Sequence, residues 1–129
     1  MPTIVHFQIP SDNIERSKEF YSDMFGWNFE KVPPEKLPEG EEHWGITTKD
    51  HEGNNAVNGG MMKRMMPEQQ GILNSIGVSS VDEYSAKVEQ LGGKVKLSKM
   101  AIPNMGYFAV CSDTENNTFG LWEADTTAK

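Results

Sequence analysis

One stretch of this chain occurs twice in altered form, and that repeat constrains the fold more than any other feature. Thr3 to Pro10 alternates as a strand, and Ser11 to Phe25 follows as a helix stopped by Gly26. Ile72 to Val78 reads as a second strand, and Ser80 to Leu91 as its helix, stopped by Gly92-Gly93. A single shift lays Phe7 on Ile76, Ile9 on Val78 and Asn13 on Asp82. Each copy runs on into strand-like sequence punctuated by glycine. A long repeat dictates architecture before local propensity does. The chain therefore reads as two modules, about 1–66 and about 71–125, within a single domain of 129 residues. Halves of about 60 residues are marginal alone, so a common core is expected.

Charge narrows the classes of partner. A net charge of -7 is the opposite of a nucleic-acid footprint, which is a basic patch or stripe. It gives no attraction to anionic lipid either. No apolar run approaches the roughly 18 residues of a membrane helix. The N-terminus lacks the basic-then-apolar pattern of a signal peptide. Cys111 stands alone, in the apolar run Phe108-Ala109-Val110, and cannot form an internal disulfide. It is expected as a small buried hydrophobe in a cytoplasmic protein.

In the first strand Val5, Phe7 and Ile9 alternate with Ile4, His6 and Gln8. Period two sends the two sets to opposite faces. The apolar set is expected under the helix. Ser11 or Asp12 is the expected N-cap. Trp27–Val32, Trp44–Thr48 and Ala56–Met62 complete the first set of strands. Met61, Met62, Met65 and Met66 cluster around the linker from Lys63 to Gly71, an adaptable apolar surface suited to core or dimer packing. The second set is Lys94–Lys99, Tyr107–Cys111 and Phe119–Glu123, with a hairpin turn at Asp113–Asn117. The tail from Asp125 is expected to fray.

These residues carry a resemblance. Val5-His6-Phe7-Gln8-Ile9-Pro10, Glu19-Phe20-Tyr21 through Phe25-Gly26-Trp27, and Gly59-Gly60 carry it in the first half. Val81-Asp82-Glu83, Leu91-Gly92-Gly93-Lys94-Val95, Ile102-Pro103, and Asp113-Thr114-Glu115-Asn116-Asn117 before Phe119-Gly120-Leu121-Trp122 carry it in the second. The chain resembles the vicinal oxygen chelate superfamily of glyoxalases, bleomycin-resistance proteins and extradiol dioxygenases, in its small glyoxalase-like branch. The resemblance implies an α+β fold of two βαβββ modules curling around a shared cleft. Metal-dependent members take one ligand from each of four strands. By spacing these positions fall on Ile4, Leu73 and Leu121, with the fourth near Met61. None offers the imidazole or oxygen donors a divalent ion needs, so no metal and no cofactor are expected.

If Ile4, Leu73 and Leu121 face the cleft, alternation brings His6, Gln8, Ser75 and Glu123 to the same side. His6 titrates near neutrality and is a candidate acid, base or ligand; the alternative is a histidine bonded to a neighbouring strand. Glu123 is a candidate base or partner of His6; the alternative is a carboxylate at a strand end. Gln8 is a candidate for orienting a polar group. Ser75 has no activating base in the sequence and is no nucleophile. Tyr107 is a candidate for the pocket rim or for the core. The ligand-binding set is thus His6, Gln8, Ser75, Tyr107, Leu121 and Glu123, with His6 and Glu123 as the catalytic candidates.

Three functions compete. The first is a small-molecule-binding protein with a mostly apolar, metal-free pocket. The second is a lyase or isomerase of the lactoylglutathione lyase type, or a dioxygenase-related enzyme, using His6 and Glu123. The third is a structural or regulatory interaction protein. A homodimer is expected in each case, because sheet edges are commonly covered by a second copy.

Overall fold

The computed structural model describes residues 2–37, 39–64 and 71–129. The chain divides into two compact units, His6–Ile72 on one side and Met1–Val5 with Leu73–Lys129 on the other. The first holds β1 (Thr3–Ser11) from His6 onward, then α1 (Ile14–Phe25), β2 (Asn28–Lys31), β3 (His43–Thr47) and β4 (Asn58–Lys63). The second runs β5 (Leu73–Gly77), α2 (Val81–Gln90), β6 (Lys94–Ile102), β7 (Gly106–Ser112) and β8 (Thr118–Ala124). Both are βαβββ, as the repeat requires. In the first unit β1 pairs in parallel with β4, and β2, β3 and β4 pair antiparallel in turn. In the second, β5 pairs in parallel with β8, and β6, β7 and β8 pair antiparallel.

Both helices start on a side-chain cap. Asn13 Oδ1 accepts from the Arg16 amide at 3.1 Å, so Asn13, not Ser11 or Asp12, satisfies an orphan donor of the first turn. Ser80 Oγ does the same for the Glu83 amide at 3.1 Å. At the far end of α1, Gly26 adopts φ 73° and donates to the Ser22 carbonyl. That left-handed cap is nearly strain-free only for glycine.

Among the described residues the buried hydrophobics form two clusters, one in each unit. Ile9, Ile14, Ile46 and Met61 form the first, packed round by Phe7, Tyr21, Trp27, Phe29 and Trp44. Tyr21 and Trp27 stack with ring planes 3° apart. Val81, Ala109, Cys111 and Leu121 form the second, with Tyr84, Val88 and Tyr107 against them. Each fully buried large aliphatic side chain contributes on the order of 1.5–3 kcal/mol relative to exposure. Cys111 is buried, and burial raises its thiol pKa.

The Asp113–Asn117 turn fastens itself. Asp113 accepts from the Asn117 and Glu115 amides, and these bonds hold its carboxyl below the usual range. Asn116 takes φ 63°. The tail does not fray: Ala128 is buried, its carbonyl accepts from the Asn104 amide, and the Asp125 amide donates to the Met105 carbonyl. Met65 and Met66 of the methionine cluster lie outside the described residues.

Candidate functional site

In the first unit the alternation of β1 holds. Phe7 and Ile9 pack with the helix-side core. Phe7 stands opposite Gly59 so closely that a side chain there would begin 2.5 Å from its ring. His6 and Gln8 therefore take the other face. On β4 that face belongs to Gly60 and Met62, since Met61 is fully buried in the core. Met61 itself, near which the fourth metal-equivalent position was expected, points into the core. Gly60 stands between Gln8 on β1 and Gly45 on β3.

The result is a patch floored by glycine. A Cβ at Gly60 would lie 3.6 Å from His6 Nε2, an ordinary contact distance, so the imidazole edge overhangs bare backbone. Gln8 Nε2 donates to Met62 Sδ at 2.8 Å. His43, the cross-strand neighbour of Met62, lies 3.6 Å from a Glu41 carboxylate oxygen. Burial alone lowers the His6 pKa from its ordinary value. The ring is therefore neutral at pH 7, with one nitrogen free to accept and the other to donate.

In the second unit the expected grouping breaks. Ser75 is buried and pairs with Gly120, where a Cβ would fall 2.8 Å from Ser75 Oγ. Ser75 and Gly120 thus share a face. Leu121, the next residue, is buried against Val81 of α2 on the opposite face. Glu123 follows Leu121: its Oε1 accepts from the Val81 amide at 2.9 Å and caps α2. Tyr107 pairs with Glu123 across the ladder, half-buried, with Lys99 Nζ 4.5 Å from its ring centroid. Tyr107, Leu121 and Glu123 therefore lie on the helix side, apart from Ser75. A count one residue out of step inverts a strand's faces, and that is the correction at β8.

The sequence reading missed Gly60 and Gly120 as the residues that open the two faces. Their signal was glycine inside a strand, which marks close approach of another group. It missed His43 and Met62 as companions of Gln8, because strand pairing alone unites them.

The metal that the resemblance implies for its metal-dependent members finds no donor set among the described residues. Among the described residues no three of His, Cys, Asp and Glu converge. The residue beneath His6 is Gly60, the residue beside Ser75 is Gly120, and Glu123 is turned to the α2 amide. Two or more further oxygen or nitrogen ligands would be needed beside His6.

Comparison with known proteins agrees with this architecture. Residues 3–36 match the family described as bleomycin resistance protein-like N-terminal. No curated protein matches the sequence. A methylmalonyl-CoA epimerase variant from Streptomyces coelicolor, in complex with 2-nitronate-propionyl-CoA, superposes with TM-score 0.65 at 14% identity, over 98% of this chain and 97% of its own. A hypothetical protein from Bacillus halodurans gives TM-score 0.67 at 14% identity, over 99% and 98%. The methylmalonyl-CoA epimerase of Mycobacterium tuberculosis gives 0.61 at 13%, over 95% and 87%. The chain has the glyoxalase-like, vicinal oxygen chelate fold.

Proposed function

We propose that this protein binds a small, mostly apolar organic molecule without metal-dependent turnover. The observation that carries the reading is the His6–Gly60 pair: a half-buried imidazole over a bare glycine floor, with no cluster of three His, Cys, Asp or Glu among the described residues. Such a face suits a ligand whose apolar body lies on glycine and methionine and whose polar group meets His6 and Gln8. Similarity of residues 3–36 to a bleomycin resistance protein-like family favours binding over chemistry. Tyr107, Leu121 and Glu123 would act as support, holding β8 and α2 together. The reading includes one domain of two modules, a cytoplasmic setting and a homodimer. Leu97, Met100 and Ile102, exposed on the edge strand β6, support the dimer.

A second reading, a lyase or isomerase, draws on the neutral His6, which could accept a proton at pH 7. Glu123 would not be its partner, being bound to α2. Mass spectrometry of molecules extracted from natively purified protein tests both. Binding predicts a retained molecule unchanged on incubation and lost in a Gly60→Leu variant. A retained molecule that is converted, with conversion abolished in His6→Gln, would reject the binding reading for the enzymatic one. Absence of any retained molecule, with no saturable binding from a library of apolar compounds, would reject both.

A further inference from the structure

A cavity lies within the other compact unit. It has a volume of about 590 Å³ and is walled by Thr3 and Val5, the end of β5 at Gly77, Ser79, Tyr84 of α2 and Trp122 of β8. That volume is in the range of pockets for drug-sized ligands. The benzo edge of Trp122 rests over Gly106, where a Cβ would fall 2.8 Å from it. This contact pins the indole at the wall. Lys87 Nζ lies 5.0 Å from the Tyr84 ring centroid, so Trp122 is the unclaimed aromatic platform. Its register partner on β5 is Gly77, with Val5 Cγ1 only 3.0 Å from where a side chain would begin. The side-chain polar groups on the wall are the hydroxyls of Thr3, Ser79 and Tyr84 and the indole N–H of Trp122, and among the described residues no charged side chain lines it.

The charge of the occupant follows from the helix that opens beside the cavity. A helix start ordinarily favours an anion. Here the Val81 amide is taken by Glu123 and the Glu83 amide by Ser80. The Glu123 carboxylate already fills the anion's place, and a second negative group would be repelled by it. The chain's net charge of -7 adds to that repulsion. We infer that this cavity is a second ligand site, selective for a neutral, planar aromatic molecule with a hydrogen-bonding group at its edge. The ring would stack on Trp122, and the edge group would meet the hydroxyls of Thr3 and Ser79.

Calorimetric titration of the full chain with indole-3-acetamide and indole-3-acetate tests the inference, since the two differ chiefly in charge. The amide is expected to bind saturably, with a dissociation constant below about 1 mM, and the acetate at least about tenfold more weakly. Thr3→Trp and Ser79→Phe, both at exposed positions, fill the cavity and are expected to abolish amide binding at unchanged melting temperature. Trp122→Leu removes the platform without filling the space, and keeps the test valid if a filled variant melts early. Gly60→Ala, in the other unit, is expected to leave amide binding unchanged. Equal or tighter binding of the acetate, no saturable binding of the amide, or binding that survives all three cavity variants would overturn the inference. Loss in Gly60→Ala alone would move the amide to the His6 face, overturning this site while supporting the first.

Discussion

His6 Nε2 overhangs Gly60, 3.6 Å from the point where a side chain would start, while the Phe7 ring presses to within 2.5 Å of the same point on Gly59. Two adjacent glycines in one strand thus serve opposite faces. Gly59 makes room for the core, and Gly60 makes room beside a titratable ring.

The two glycines should respond differently to alanine. At Gly59 the added methyl meets the body of the Phe7 ring, so Gly59→Ala is expected to destabilise by about 1–3 kcal/mol. At Gly60 the methyl meets only ordinary contacts. Gly60→Ala is expected to change stability by less than about 1 kcal/mol while weakening ligand binding at His6. Urea unfolding of both variants checks this, and equal losses would contradict it.

His6 should make stability fall in mild acid. Burial depresses its folded pKa below 6.5. Well above pH 6.5 the ring is neutral in both states and adds no pH dependence. As pH drops through 6.5, the unfolded chain takes up the proton first, so unfolding is favoured until pH passes the lower folded value. The wild type should therefore lose more stability than His6→Gln between pH 7.5 and 5. Identical pH profiles for the two would refute a buried, neutral His6.

Glu123 should matter to the helix and not to the His6 face. Its Oε1 accepts the Val81 amide at 2.9 Å. Glu123→Ala leaves that donor without its side-chain acceptor and is expected to cost about 1 kcal/mol. Glu123→Gln keeps a carbonyl acceptor and should recover most of the loss. Thermal melts of the two, with ligand retention measured on each, are the check. A Glu123→Gln variant that melts normally but no longer holds ligand would return Glu123 to the site.

Metal should not bind tightly. Among the described residues no three of His, Cys, Asp and Glu converge, and one imidazole without further strong ligands is a poor site. Elemental analysis of protein purified without chelator is expected to find no stoichiometric Zn, Ni, Fe or Mn. One ion per chain, lost in His6→Ala, would contradict the proposed function.

The repeat and the periods of two and 3.6 were enough, in the sequence alone, for two βαβββ modules, their helices and the faces of β1. Those signals are local: alternation along one strand settles its own two sides, as Phe7 and His6 show. They do not say which neighbour a strand meets. Counting from the Asn117 turn put Leu121 and Glu123 with Ser75, whereas the ladder pairs Ser75 with Gly120 and sends Leu121 under α2. Gly59 and Gly60 are the same letter in sequence, and only the strand beside them makes one a core contact and the other a binding floor. Glu123 became a helix cap for the same reason. Register is a property of paired strands, fixed by hydrogen bonds and packing between segments far apart in the chain, and only the tertiary structure could decide it.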